Sequence, residues 1–355
     1  MSDVEIVDKR KQKDFKNISF SKFKKSDAKK ELLSCLLSPK IENAQYWTAE
    51  LVCAGHFLYL WEIIFLFMSK NIHIGNPKIG IYISMRLDNF KNIMHNGYND
   101  NMIKMRNNDK IRKLFAEIIC VLCYSKKKNS YDVPKIKESD FDFFSLTEKL
   151  SAKNKRLGYT VFKNEDPNEI FVAINEFAWN IHHKIKDNYK ANYWLEWILE
   201  YHKLCKKKKI QKICYRRQYP VHDKYQKEMI WIIWDIIYEE AKKRKIGLEK
   251  IIESLIKIFC VKYQEGSKNK RKLIVYYAIS LLTESYNINE PIVKENKTIE
   301  KVKAQIYKIY VQIKKNEIKP DTDYLFNNSL NGGNLEKTID KIDKLNTMTF
   351  IPRNN

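Results

Sequence analysis

Residues 42–70 read ENAQYWTAELVCAGHFLYLWEIIFLFMSK, and this stretch decides the fold class. Large apolar side chains recur in it at steps of three and four residues, at Trp47, Leu51, Ala54, Leu58, Trp61, Phe65 and Met68. That spacing places them on one face of an α-helix, whereas a strand would alternate at every second residue. The most apolar part is about 15 residues long and falls short of the roughly 20 needed to cross a bilayer. We therefore predict a long buried helix and no membrane association.

The same three-and-four spacing continues along the rest of the chain. It predicts further helices over 29–37, 81–94, 109–124, 166–186, 190–206, 223–245, 248–265, 269–285 and 298–317. No stretch shows the alternation that is typical of strands. We predict an all-α protein of about 9–11 helices, arranged as a bundle or as stacked helical hairpins in a solenoid-like array.

Changes in composition and the positions of glycine define the expected domains. Residues 1–39 are rich in lysine with few apolar anchors, so we expect a basic flexible arm there. Residues 40–326 form the helical domain, which divides, if at all, near 125–165. Residues 327–355 are polar and contain Gly332-Gly333, so we expect a C-terminal tail. In the preceding segment, Asp323–Phe326 is either a docking motif for a partner or a lock that folds back on the bundle.

The charge of the chain favours polyanionic partners. It has 66 Lys and Arg against 43 Asp and Glu, a formal net charge of +23. Only ten of the 66 are Arg, and Lys, Ile and Asn are all abundant, as AT-rich codons produce. Arginine is the residue that reads bases bidentately, so base-specific recognition is not supported, while lysine still attracts phosphates. The chain has nine glycines where about 7% usage would give roughly 25, which argues against glycine-rich phosphate loops.

Three basic runs lie at predicted helix ends and are the candidate phosphate contacts. Their members are Lys206, Lys207, Lys208, Lys209, Lys212, Arg216 and Arg217; Lys242, Lys243, Arg244 and Lys245; and Lys268, Lys270, Arg271 and Lys272. If they converge on one face, they form an electrostatic groove for DNA or RNA. The alternative is that these residues only solvate helix ends, where cations are favoured.

One set of residues has the chemistry of a zinc site. His202, Cys205, Cys214 and His222 supply two imidazoles and two thiols, which can close a tetrahedral structural zinc site. The spacing matches no standard zinc finger, so the favoured interpretation is that these residues bind no metal and the protein needs no cofactor. Seven cysteines, an odd number, and a charged N-terminus without a signal sequence indicate a reducing compartment and no secretion.

Catalytic motifs are missing from the sequence. It contains no nucleophile elbow, P-loop, dinucleotide fingerprint or kinase signature. Asp132, Glu138, Asp140 and Asp142 form an acidic cluster that would serve a metal-dependent nuclease, but no second carboxylate group accompanies it. We therefore expect a non-enzymatic protein that binds nucleic acid through non-specific phosphate contacts. The alternative is an α-helical protein-interaction scaffold.

Four stretches resemble an uncharacterised family carried by giant nucleocytoplasmic large DNA viruses. They are AELVCAGHF at 49–57, IRKLFAEIIC at 111–120, YWLEWI at 193–198, and KKNE at 314–317 with TDYLF at 322–326. The resemblance covers about residues 40–327. It implies a setting, the host cytoplasm or viral factory, or the virion, with other viral proteins as possible partners. It implies no activity and transfers no residue role. Placed in that setting, the expected nucleic-acid-binding protein would serve viral replication, transcription or packaging, and the alternative scaffold would be a structural component of the virion or viral factory.

Overall fold

The computed structural model describes residues 4–95, 97, 102–210, 212–244, 247–293 and 296–318. Over these residues the chain forms twelve α-helices and no β-strand, so the all-α prediction is confirmed. The first six helices are α1 Lys25–Leu37, α2 Ile41–Cys53, α3 Phe57–Phe67, α4 Ile79–His95, α5 Asp109–Tyr124 and α6 Phe143–Lys149. The remaining six are α7 Phe171–Ile181, α8 Asn188–Lys207, α9 Ile230–Lys242, α10 Leu248–Phe259, α11 Ser267–Thr283 and α12 Asn296–Lys314.

The predicted long helix over 42–70 is two helices. It breaks at Gly55, whose φ of +75° is left-handed and ends α2. The apolar pattern continues across the break because both helices pack on the same core. α3 then runs into a π-helical turn, Met68–Ile72, and a short 3₁₀ turn, His73–Gly75. By length and composition, the stretch Phe57–Gly75 could span a membrane. However, 67% of its most apolar segment is buried inside the fold. Core helices of soluble proteins share that property.

The helices close into a bundle and do not extend as an open solenoid. α1, α2, α5 and α12 pack together on one side, and α7, α8, α9 and α11 on the other. α4 against α10, and α3 against α11, join the two sides. The described chain ends also meet, because Lys9 N donates to the Ile318 carbonyl over 2.9 Å. An open solenoid keeps its ends apart, so the return of α12 onto α2 and α5 distinguishes the two predicted arrangements.

One continuous cluster of buried apolar side chains fills the bundle. It includes residues from both sides of segment 125–165, such as Phe115 and Phe177. Trp61, Trp194, Trp231 and Trp234 are among its largest members, and each is at most 1% exposed. Segment 125–165 is itself tied to the bundle, since Trp197 Nε1 donates to the Asp140 carbonyl over 2.9 Å. The two halves of the helical domain therefore share a core.

The expectation of a flexible arm over residues 1–39 is wrong for the described residues 4–39. Ile6, Phe15 and Phe20 are buried in the core, and α1 packs on α2. Arg10 lies over the rings of both phenylalanines, at 4.6 and 4.7 Å from their centroids. These few apolar residues are sufficient anchors because the lysines between them all point outward. The C-terminal tail over 327–355 and the segment Asp323–Phe326 lie outside the described residues.

Candidate nucleic-acid interface

The first basic run continues the C-terminal end of α8. The helix ends at Lys207, Lys208 follows as its cap, and Lys209 takes a left-handed φ of +56°. Cys205 is the last buried side chain of the helix, and Lys206 to Lys209 are all exposed. Positive charge is favourable at a helix C-terminus because the carbonyl ends carry partial negative charge. Local helix chemistry thus places four successive ammonium groups in solvent.

The third run lies beside the first because α8 and α11 run antiparallel. Three side-chain pairs follow this arrangement along the helices: Asn188 with Ser280, Glu196 with Tyr276, and Lys206 with Glu265. The start of α11, with Lys270 exposed, therefore adjoins the end of α8. These two runs are brought together as the groove hypothesis requires.

The second run lies at the opposite end of the same helix pair. Arg244 donates to the carbonyls of Ile181 and Leu282, in the last turns of α7 and α11. These carbonyls have no partner within their own helices, and a guanidinium satisfies them well. Convergence of all three runs on one face is therefore wrong, and Arg244 is a helix cap. Lys242 pairs with Glu239, Lys243 is exposed, and Lys245 lies outside the described residues.

Arg217 is not available to phosphates. Its side chain is 5% exposed, and every guanidinium nitrogen has a partner. Nη1 and Nη2 donate to the two oxygens of Asp166 over 2.9 and 2.7 Å, and Nε donates to Asp235 over 2.5 Å. Asp166 also accepts a hydrogen bond from Tyr215 N. The network ties Arg217 of the α8–α9 loop, which comprises the described residues 208–210 and 212–229, to α9 and to the segment before α7.

Lys268 and Arg271 are also buried and paired. Lys268 Nζ donates to Glu228 over 2.9 Å and lies 3.3 Å from His202 Nε2. Burial lowers the pKa of Lys268, an effect that the ion pair with Glu228 opposes. Arg271 is held by Glu62 and by the Phe259 carbonyl at 2.7 Å. Both residues stabilise the packing of α11, so their prediction as phosphate contacts is wrong. Lys272, which pairs with Glu196, remains half-buried.

A cleft of about 350 Å³ opens between the end of α8 and the α8–α9 loop. Its lysines are Lys206, Lys212, Lys224 and Lys227, and we call it the lysine cleft. Lys224 lies 4.8 Å from the ring centroid of Tyr225. Lys206 and Lys212 pair with Glu265 and Glu169, and both pairs are accessible to solvent. Exposed pairs of this kind are weak, so a phosphate can replace the carboxylate.

Sequence reasoning missed Lys224 and Lys227. Neither belongs to a basic run, so no local signal marks them. The fold of the α8–α9 loop brings them opposite Lys206. Arg216, which was predicted, is an exposed residue of the same loop and pairs with Asp223, also exposed, over 2.9 Å.

The four predicted zinc ligands do not assemble. His202 and Cys205 line the lysine cleft, whereas Cys214 of the α8–α9 loop is buried in the core and His222 is exposed. Burial raises the pKa of Cys214 to about 12, and burial together with Lys268 lowers the pKa of His202 to about 4. Over the described part of the chain, no group of three or more His, Cys, Asp or Glu side chains is placed to hold a metal ion.

Asp140, a member of the predicted acidic cluster, is engaged in local contacts. Asp140 is an ion-pair partner of Lys149 and accepts a bond from Lys137 N over 2.7 Å. The Lys149 ammonium and the Lys137 amide outweigh burial and lower the pKa of Asp140. This carboxylate closes a 3₁₀ turn, Glu138–Phe141, next to α6. The arrangement is that of a capped turn.

An exposed aromatic pair lies elsewhere on the surface. Phe143 and Phe144 begin α6 and are 74% and 81% exposed. Their rings meet edge to face, 6.1 Å apart. Single exposed apolar residues are common, whereas two adjacent phenylalanines this exposed are a candidate contact surface.

The lysine cleft, the neighbouring exposed lysines and the Phe143–Phe144 pair are thus the features from which a function has to be argued. Comparisons of the chain with protein-family models, with curated proteins and with solved structures gave no match.

Proposed function

We propose that this protein binds nucleic acid non-enzymatically, through phosphate contacts made by solvent-accessible lysines at the end of the α8–α11 pair. We call these residues the lysine surface: Lys206, Lys207, Lys208, Lys209, Lys212, Lys224, Lys227 and Lys270. The proposal rests on the exposure of Lys207, Lys208 and Lys209 and on their lack of ion-pair partners in the described part of the chain. All three are exposed, and none has an ion-pair partner among the described residues.

Unpaired cations beside one another are what a phosphate backbone requires. Each phosphate that a lysine neutralises releases condensed counterions, which favours binding at low salt. The lysine cleft continues this positive surface around the end of α8. Tyr215 is 41% exposed on the adjoining loop, where it can stack on an unpaired base. Lysine provides no bidentate base recognition, so we expect binding without sequence preference.

A salt titration of binding to single-stranded DNA, duplex DNA and RNA tests the proposal. We expect the logarithm of the binding constant to fall linearly with the logarithm of salt concentration. Replacing Lys207, Lys208 and Lys209 by Glu should reduce the slope on duplex DNA by about three. Absence of binding to all three at about 150 mM salt would contradict the proposal.

A matched variant controls for net charge. Lys184, Lys186 and Lys243 are exposed at the opposite end of the α8–α11 pair. Replacing all three by Glu changes the net charge by the same amount as the test variant. We expect this control to keep most of the wild-type slope. Equal losses in the two variants would mean that overall charge, and not the lysine surface, drives association.

We propose a protein-interaction scaffold as the second candidate function, because Phe143 and Phe144 are so exposed. The setting implied by the viral resemblance accommodates either function. Light scattering on the purified protein, with Phe143→Ser/Phe144→Ser as the comparison, tests self-association through this pair. If the wild-type protein is an oligomer and the variant is a monomer, the scaffold function is supported. If both proteins are monomers, the scaffold does not act through self-association.

A further inference from the structure

A second cavity lies away from the lysine surface, where α3, α4 and α10 meet. Its volume is about 540 Å³, which is within the usual range for small-molecule sites. Its lining comes from these three helices, from the residues that follow α10 and from the α8–α9 loop. We call it the α4–α10 cavity.

Helix packing explains why space remains there. α4 and α10 touch closely at Gly80, where a Cβ atom would lie 2.8 Å from Leu255 Cδ2. The cavity lies farther along both helices, between Met94 of α4 and the residues that follow α10. Pro220 of the α8–α9 loop and Leu58 of α3 complete its walls. The space is therefore formed by secondary structure and a loop that Arg217 anchors.

The walls of the cavity are apolar. Trp61 and Phe90 are buried and pack edge to face, with their centroids 5.7 Å apart. Cys260 belongs to the apolar wall too, because burial raises the pKa of its thiol to about 12 and keeps it protonated. Such walls favour hydrocarbon and offer few partners for the polar edges of a nucleobase.

The titratable side chains that line the cavity, other than Cys260, are all basic. They are Lys91, His95, Lys257 and Lys262. Lys257 forms an ion pair with Asp88, so its charge at the rim is neutralised. Lys91 and Lys262 have no ion-pair partner among the described residues. An apolar interior with a cationic rim is complementary to a molecule that has a hydrocarbon chain and one anionic end.

We propose that the α4–α10 cavity binds a free fatty acid of medium chain length. The hydrocarbon chain occupies the space beside Trp61, Phe90 and Val261, and the carboxylate lies at the rim near Lys91 and Lys262. Each buried methylene group contributes favourably, so the chain provides most of the affinity. The ammonium groups at the rim orient the ligand and select an anion over a neutral alcohol. This site is independent of the proposed nucleic-acid interface.

Calorimetric titration with monomeric dodecanoate, and with decanol as a neutral probe, tests the site. Val261 is half-exposed, so Val261→Trp fills the cavity from its edge, and we expect it to weaken both ligands about tenfold or more. Lys91→Glu/Lys262→Glu should weaken dodecanoate by about tenfold and leave decanol unchanged. Circular dichroism establishes that each variant is folded.

The control is Lys184→Glu/Lys243→Glu, which makes the same charge change elsewhere and should leave both affinities unchanged. Equal dodecanoate affinity in wild type and the Lys91→Glu/Lys262→Glu variant would overturn the proposal. Binding to phosphatidylglycerol vesicles without binding to dodecanoate monomers would also overturn it, because the basic rim would then contact a membrane surface and not a free fatty acid.

Discussion

Arg217 and Asp166, 51 residues apart in the sequence, form a two-bonded ion pair inside the protein. Each carboxylate oxygen accepts one N–H of the guanidinium, at 2.9 and 2.7 Å, and Asp235 and the Val161 carbonyl accept two more. The pair links the segment before α7 to the α8–α9 loop and so positions one wall of the lysine cleft. A residue that looked like a phosphate contact is therefore a structural support for the candidate site.

Loss of Arg217 should destabilise the fold strongly. Arg217→Ala leaves Asp166 buried without its cation, which costs about 3–5 kcal/mol in the free energy of unfolding. Arg217→Lys should recover little, because an ammonium cannot reproduce the forked geometry. Urea unfolding followed by circular dichroism measures both changes.

The adjacent residue is the matched control for that experiment. Arg216 pairs with Asp223 on the surface, with side chains 51% and 72% exposed. Arg216→Ala should cost at most about 1 kcal/mol, as exposed ion pairs usually do. Similar losses for the two variants would mean that the buried network contributes no more than a surface pair.

The N-terminal segment should prove to be part of the folded core. Phe20 is fully buried against Phe15, with ring centroids 5.9 Å apart, so Phe20→Ala should cost about 3–5 kcal/mol. Phe23 is 44% exposed, and Phe23→Ala should cost only about 1 kcal/mol. Thermal unfolding of the two variants compares them directly, and a wild-type melting temperature for Phe20→Ala would restore the arm interpretation.

Helix positions were predictable because they depend on local spacing. The expected 190–206 and 109–124 correspond to α8 at Asn188–Lys207 and α5 at Asp109–Tyr124. The break at Gly55 was not visible, since the apolar pattern runs through it. The buried N-terminal segment was missed because its apolar residues are few and widely spaced among lysines.

The sequence of the basic runs did not predict which basic side chains are buried and paired and which are exposed. Arg216 and Arg217 are neighbours, and only the second meets Asp166 in the interior. Arg271 finds Glu62, which is 209 residues away. A partner at that distance leaves no trace in local composition, so burial and pairing had to come from the tertiary structure.

Gly75 should tolerate no side chain. A Cβ there would lie 2.6 Å from the Lys126 carbonyl oxygen and 3.0 Å from Lys128 N, both backbone atoms. Gly75→Ala should therefore cost about 1–3 kcal/mol as the two segments are forced apart. Gly266 has open space around it and an ordinary helical φ of −79°, so Gly266→Ala should be neutral or slightly stabilising. Chemical denaturation of the two variants compares their free energies of unfolding. Equal values would show that the backbone around Lys126 moves aside at little cost.

His73 should make the protein less stable in mild acid. It is fully buried against the ring of Tyr277, 5.2 Å between centroids, and burial lowers its pKa to about 4. The unfolded chain takes up this proton near pH 6.5, so between about pH 6.5 and pH 4 it binds more protons than the folded chain. Stability therefore rises with pH across that window. Acidification through it costs on the order of 3 kcal/mol from this residue alone.

Replacing the imidazole isolates its share of the acid sensitivity. His73→Phe keeps an aromatic ring but takes up no proton, so the fall in unfolding free energy from pH 7.5 to 4.5 should be smaller than in wild type by roughly 2–3 kcal/mol. His202, whose pKa is also lowered to about 4, maintains part of the dependence in both proteins. The surface substitution His222→Phe serves as the control and should reproduce the wild-type pH dependence. Urea unfolding at the two pH values gives all three differences. An unchanged difference in His73→Phe would mean that the imidazole is already protonated in the folded state at pH 4.5, and it would contradict the lowered pKa of His73.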